Sequence, residues 1–343
     1  MVDSTQSALH AGETETITVL GGGAMGTACA FILAQQQKHR IRLWVRRKDF
    51  AQDIREVREN RRLLPGVTLP PDIHVTSDAA EALRDTTIVL VCVPTKGIRN
   101  AASVVADHVP TAALLVSAVK GIENDTLIRP SEMLQELLGN RPVVALGGPC
   151  HAEELARGCP TSVVAACETE LHAERVRDAF SGETFRVYSS SDRRGVELGG
   201  ALKNVIAIAA GICDGLQLGD NTKAALITRG LAEMSRFCRV MEVPAETLMG
   251  LAGIGDLIVT CGSRHSRNRH VGELLGQGQT LTEIESSMHA VAEGVHTAHS
   301  VHMLAAQKAI EMPIADEVYE ILFNGRSAAR ATSDLMQRPL RSE

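Results

Sequence analysis

Short runs of β-branched and aliphatic residues recur along the chain as far as Asp192, and stretches of helical periodicity lie between them. The runs are Ile17–Leu20, Ile41–Val45, Thr87–Val93, Leu114–Val119, Val143–Leu146, Ser162–Ala166 and Phe185–Tyr188. Gly26–Gln35, Phe50–Asn60 and Ser131–Leu138 read as helices among them. Strands that are apolar along their whole length are buried on both faces, which calls for a mainly parallel sheet covered by helices on either side. Beyond Asp192 the strand signal stops, and Gly195–Ile212, Thr222–Val240 and Asp316–Phe323 read as helices. The order predicts an α/β fold: an N-terminal doubly wound Rossmann-type domain followed by an all-helical C-terminal domain. The expected division is a leader over 1–15, the Rossmann-type domain over 16–191, the helical domain over 192–335 and a tail over 336–343.

Composition narrows the partners. With 35 basic against 41 acidic side chains, the 343-residue chain has a formal charge of −6. That balance disfavours the phosphate backbone of nucleic acid as its main ligand. Aromatic residues make up only 3%, too few for platforms that stack single strands. No continuous apolar run approaches the length of about 18 residues needed for a membrane span. The start, MVDSTQSALHAGETET, lacks both the build of a signal peptide and the arginines of a transit peptide. It reads as a disordered leader on a cytoplasmic protein. The eight cysteines (Cys29, Cys92, Cys150, Cys159, Cys167, Cys213, Cys238 and Cys261) form no C-x-x-C pair, and several lie in apolar runs. Buried free thiols are expected, not a disulfide framework or structural zinc.

The first strand runs directly into Gly21-Gly22-Gly23-Ala24-Met25-Gly26, a G-x-G-x-x-G between strand and helix. In that setting Gly21 permits the tight turn, Gly23 lets a pyrophosphate approach the backbone, and Gly26 lets helix and strand pack closely. The helix N-terminus adds unpaired N–H groups and a partial positive charge. A glycine turn serving packing alone is the plainer alternative. An NAD-binding version places an acid at the end of the second strand, but here Arg46 and Arg47 follow Val45. Guanidinium groups suit a 2′-phosphate, so NADPH is expected to be preferred over NADH, although Asp49 and Asp53 lie close by.

Later motifs sharpen the reading. They are Val116–Gly121 with Lys120, Gly147–Ala152, Gly199–Val205 with Lys203, Thr228–Met234, Gly253–Leu257 with Asp256, Ser266-Arg267-Asn268 and Val291–Gly294. In this order the series closely resembles the bacterial NAD(P)-dependent glycerol-3-phosphate dehydrogenases, from about Thr16 to Arg330. The resemblance implies reversible reduction of dihydroxyacetone phosphate to sn-glycerol 3-phosphate, a phospholipid precursor, by a homodimer. It implies Lys203 as catalytic acid/base. It further implies substrate contacts at Lys120, Gly148, Cys150, Lys203, Asp256, Ser266, Arg267 and Asn268. Cofactor contacts follow at Ala24, Met25, Arg46, Lys120, Ala152, Arg267, Val291 and Glu293, beside Gly21, Gly23, Gly26 and Arg47 from the loop and strand end. Two positions depart from the family: Met25 stands where an aromatic residue is common, and Cys150 where Ser or Thr is usual, exchanging a hydroxyl for a weaker thiol contact.

The chemistry also stands on the residues themselves. Reducing a ketone needs a hydride on carbon and a proton on the developing alkoxide; the cofactor carries the first, the protein the second. Lys203 follows Gly199 and Gly200 by one helical turn on the same face. Each glycine costs about 1 kcal/mol relative to Ala inside a helix, so something must approach that face closely. The apolar segment Val205–Ala210 then buries the helix, and desolvation makes a lysine usable for proton transfer near neutrality; a lysine snorkelling to the surface is the alternative. Asp256, between glycines, is either a turn residue or the group that orients Lys203 or takes a substrate hydroxyl. Arg267, in a stretch with three arginines, is either solvated or a phosphate ligand. His151, His289, His296, His299 and His302 are read as packing or surface residues, and no metal is expected. Two other readings of the whole chain are an NADP-binding redox-sensing regulator and a related hydroxyacid dehydrogenase.

Overall fold

The computed structural model describes residues 14–288 and 292–339. All but the last two residues of the expected leader, and Val291 and His289, lie outside the described residues. Among the described residues there are ten strands: β1 (Thr16–Leu20), β2 (Arg40–Trp44), β3 (Glu59–Asn60), β4 (Leu64–Thr68), β5 (His74–Thr76), β6 (Ile88–Val91), β7 (Leu114–Ser117), β8 (Val143–Gly147), β9 (Thr161–Ala166) and β10 (Phe185–Ser190). The helices among them are α1 (Ala24–Gln35), α2 (Lys48–Val57), α3 (Ala79–Leu83), α4 (Ile98–Val105), α5 (Pro130–Leu138), α6 (Ala152–Ala156) and α7 (Glu170–Phe180).

Eight strands form one sheet in the order β10-β9-β8-β7-β6-β1-β2-β5, and every pair is parallel except β8 with β9. From β1 the chain winds one way through β2 and β5 and the other way through β6, β7 and β8. The strand order therefore reverses beside β1, where open sheets of this kind bind ligands. Alternate residues feed two cores. Ile88 and Leu90 pack on one face with α1, α2, α6 and α7 residues such as Leu33, Ile54, Leu155 and Val176. Val89 and Val91 pack on the other face with Leu83, Ile98 and Met133 from α3, α4 and α5. Continuous apolar strands are what this two-sided burial requires.

The remaining helices are α8 (Arg193–Gly215), α9 (Gly219–Val240), α10 (Ala245–Met249), α11 (Asp256–Gly262), α12 (Arg267–Gly276), α13 (Leu281–Ser287), α14 (Glu293–Gln307), α15 (Pro313–Phe323) and α16 (Ala328–Met336). Chain compactness defines two units: one runs to Lys120 and resumes over Ile128–Glu197, and the other takes Gly121–Leu127 and the chain from Leu198 on. The small insert belongs to the second unit because the Ile122 carbonyl accepts the Ser300 hydroxyl at 2.9 Å and Ile122 joins the helical core. By length and composition α8 could cross a membrane, unlike any continuous apolar run. Every residue of its 18-residue apolar window (mean hydropathy 1.5) is instead buried within the protein, so it is the core helix.

α8 and α12 meet backbone to backbone. A Cβ built on Gly211 would lie 1.9 Å from the Arg269 carbonyl oxygen, and one on Gly272 would lie 1.9 Å from that of Ile208. Gly215 and Gly276 continue the same contact one turn on.

Three sequence expectations change. The helix expected over Phe50–Asn60 ends at Val57 because Arg58 takes a left-handed backbone (φ 56°), and Asn60 becomes part of β3. The short strands β3, β4 and β5 carry too little apolar pattern to be read. All eight cysteines are free, but Cys159 is exposed and Cys92 and Cys150 are half-buried.

Candidate active site

In the first unit the glycine loop leaves β1 at the point where strand order reverses. Gly21 has φ +121°, and a Cβ there would lie 2.9 Å from the Cys92 carbonyl oxygen; one on Gly26 would lie 2.0 Å from that of Gly21. These two glycines are needed for turn and packing. Around Gly23 nothing lies within 4 Å of a built Cβ. Gly23 also starts α1, which has no side-chain cap and no acid in its first turn. Open space over an uncapped helix N-terminus, with Ala24 and Met25 as its first residues, fits a dinucleotide pyrophosphate.

The second-strand arginines are not equivalent. Arg47 immediately precedes α2 and is held by Asp49, to which its Nε donates at 3.2 Å. Arg46 is exposed and makes no ion pair among the described residues. The 2′-phosphate expectation therefore falls on Arg46. On the far side of β1, Lys120 Nζ donates to the Gly148 carbonyl at 2.8 Å, so two positions from separate strand ends come together. Gly148 has φ +127°, a backbone that other residues resist. The two departures from the family pattern touch each other: Cys150 Sγ lies 3.8 Å from Met25 Sδ. Ala152 opens α6 and is buried.

In the second unit Lys203 is buried, at 6% exposure, and Asp256 is buried at 1%. Lys203 Nζ donates to Asp256 Oδ1 and to Thr260 Oγ1, each at 2.7 Å. Thr260 Oγ1 lies 2.6 Å from the Asp256 carbonyl, a helical i−4 bond. The expectation that burial alone would act on the lysine is incomplete, because a carboxylate at contact distance favours its charged form. Asp256 is the first residue of α11 and directly follows a turn of π-helix, Leu251–Gly255; such turns are frequent at functional sites. That turn is what approaches the glycine face of α8: a Cβ on Gly199 would lie 2.5 Å from the Ala252 carbonyl oxygen. Nearby, burial pushes the Cys261 thiol up to about 12, which removes it as a nucleophile.

Ser266 caps α12, its hydroxyl accepting the Arg269 N–H at 3.2 Å. Arg267 is the first residue of that helix; it is exposed, with no acid in the first turn. An arginine over a helix N-terminus suits a phosphate. Asn268 is committed differently: its Nδ2 donates to Asn204 Oδ1 at 2.8 Å, and its Oδ1 accepts the Gly294 N–H at 2.9 Å. Glu293 begins α14 immediately before that glycine. Sequence reasoning missed Thr260, Asn204 and Asn60. Thr260 stands four residues after Asp256 on one helical face, a readable signal; Asn60 had none, since it fell inside an expected helix.

A dinucleotide loop at the switch point of a doubly wound sheet, together with a helical unit carrying a buried lysine–carboxylate pair, defines a nicotinamide-dependent dehydrogenase. The family model described as NAD-dependent glycerol-3-phosphate dehydrogenase N-terminus matches residues 16–173, and that for the C-terminus of the same enzymes matches 192–333. The chain belongs to the NAD-dependent glycerol-3-phosphate dehydrogenase family. It is 47% identical over 331 residues to the glycerol-3-phosphate dehydrogenase [NAD(P)+] of Chlorobium chlorochromatii, covering 96% of this chain and 99% of that one. The enzyme of the same description from a Geobacter species is likewise 47% identical, with the same shares covered. The crystal structure of glycerol-3-phosphate dehydrogenase from Coxiella burnetii superposes with a TM-score of 0.91 at 35% identity, covering 95% of this chain and 99% of that one.

Proposed function

We propose that this chain reduces dihydroxyacetone phosphate to sn-glycerol 3-phosphate, reversibly, with NADPH preferred and NADH accepted. The observation that carries the reading is the buried Lys203–Asp256–Thr260 group, which matches a ketone reductase's need for one fixed proton donor. When bound, the reduced nicotinamide supplies the hydride to the carbonyl carbon. Lys203 Nζ gives its proton to the carbonyl oxygen as charge develops there, and takes it back in the reverse direction. Asp256 and Thr260 hold Nζ in place.

Arg267 and Ser266, at the start of α12, are assigned to the substrate phosphate, with Lys120, Gly148, Cys150, Asp256 and Asn268 as further substrate positions. Gly21, Gly23, Ala24, Met25 and Gly26 are assigned to the pyrophosphate, and Arg46, with Arg47 behind it, to the 2′-phosphate. Lys120, Ala152, Arg267, Val291 and Glu293 complete the cofactor set. The product is the backbone of glycerophospholipids, and we assign the protein to the cytoplasm as a homodimer, with 16–191 and 192–335 as its linear domains.

The test is NADPH oxidation with dihydroxyacetone phosphate, with 2-keto acids and with neither. Oxidation only with the phosphate ketone supports the reading; turnover of 2-keto acids would make the chain a hydroxyacid dehydrogenase, and no turnover a regulator. Lys203→Met should lower kcat by roughly 10²–10⁴-fold while leaving NADPH affinity within a few fold. If kcat survives and only KM rises, another group moves the proton.

A further inference from the structure

The β3–β4 segment has no part in the roles assigned above, yet it sends one side chain into the dinucleotide loop. The Arg58 guanidinium donates to the carbonyls of Pro70 and Ile73, closing residues 58–73 into a strap of the Ω-loop kind. Asn60, at 0% exposure, sits near its start. Its Nδ2 donates to the Gly22 carbonyl at 3.0 Å and to Thr27 Oγ1 at 2.8 Å, and its Oδ1 accepts the Leu63 N–H at 3.1 Å. Both amide protons are therefore committed to the glycine loop and the first turn of α1. Turned over, the amide would set its oxygen against the carbonyl of Gly22.

We propose that Asn60 is a positioning residue for dinucleotide binding: by holding the Gly22 carbonyl on the buried side, it turns the Gly22–Gly23 peptide so that the Gly23 N–H faces outward to the pyrophosphate. The peptide is trans and planar, so its C=O and N–H point in opposite directions. With the carbonyl drawn towards a buried side chain, the N–H points away from it. The space beside Gly23 is open, and the helix it starts has no side-chain cap. Left without its partner, the Gly22 carbonyl has no reason to keep this orientation, and the loop loses an aligned donor. The inference rests on the dinucleotide reading above and is independent of the ketone.

The experiment compares Asn60→Leu, which keeps the branched four-atom side chain without donors, with Leu64→Ala, which empties a buried site on the same strap. NADPH and NADH are titrated separately by their fluorescence, and melting is followed without dinucleotide. We expect Asn60→Leu to weaken both dinucleotides by a common factor on the order of tenfold, and Leu64→Ala to lower the melting temperature while leaving both affinities within about twofold. Asn60→Ser, which keeps one donor, should lose less, and it serves if the leucine variant does not fold. Unchanged affinity in Asn60→Leu or Asn60→Ser, or an equal loss in Leu64→Ala, overturns the proposal. A wild-type chain that binds neither dinucleotide overturns the dinucleotide reading and this proposal together. One that binds them without reducing dihydroxyacetone phosphate overturns only the assignment of substrate.

Discussion

Gly272→Ala adds one methyl group where α12 meets α8, and the structure says what it should do. The new Cβ would lie 1.9 Å from the Ile208 carbonyl oxygen, where ordinary contact begins at 3.4 Å. That oxygen and the Ile212 nitrogen at 2.9 Å are helical backbone, so α12 must retreat from α8 by about 1.5 Å, a displacement packed interiors resist. Asn268 lies one turn earlier on the same face of α12. Its 2.8 Å bond to Asn204, the neighbour of Lys203, would lengthen past any hydrogen bond, and its bond to Gly294 would go with it. Overpacking costs typically about 1–3 kcal/mol of stability, and a misplacement of about 1 Å costs on the order of 10²-fold in rate. kcat/KM for dihydroxyacetone phosphate should therefore fall by about that factor. Gly262→Ala is the control, because nothing lies within 4 Å of a Cβ built there. A folded Gly272→Ala enzyme with kcat/KM close to that of the control would refute the argument that the glycine contact sets the position of α12.

Arg46→Gln should raise the KM for NADPH by on the order of tenfold, as expected for one charge-assisted hydrogen bond, with NADH nearly unchanged; Arg47→Gln should do little, since Asp49 already holds that guanidinium. Equal losses for both cofactors would show that Arg46 does not read the 2′-phosphate. Arg267→Ala should cost on the order of ten- to a few-hundred-fold in kcat/KM for dihydroxyacetone phosphate and little further for dihydroxyacetone; equal harm to both moves the phosphate site to Lys120. Burial pushes the Glu233 carboxyl from its ordinary 4.5 up to about 7, against the N–H groups of Ile314 and Ala315 and the charge of Arg236, with Asp316 adding to the rise. Since the folded value is the higher one, its contribution to stability is complete below about pH 4.5 and lost as pH rises through 7. Melting from pH 5 to 8 should fall more steeply for wild type than for Glu233→Gln, and parallel curves would remove Glu233 as the cause.

The sequence determined by itself whatever depends on local pattern. The central apolar runs became β1, β6, β7 and β8 because a strand buried on both faces must be apolar throughout, while the edge strand β10 alternates buried and exposed residues. The loop Gly21–Gly26 was legible because its strand, turn and helix are contiguous, and Lys203 because two glycines and an apolar run flank it. Tertiary structure decided which groups complete them. Asn60 reaches Gly22 across 38 positions and Asp256 reaches Lys203 across 53, so neither pairing leaves a periodicity to read. The approach expected at Gly199 turned out to be the Ala252 carbonyl, and Met25 and Cys150, read as separate departures, lie in contact. Of two adjacent arginines, only the fold showed that Asp49 engages Arg47 and leaves Arg46 exposed. Hydrophobic periodicity specifies an element from its neighbours in the chain, whereas a hydrogen bond between distant residues forms only after packing has fixed both backbones.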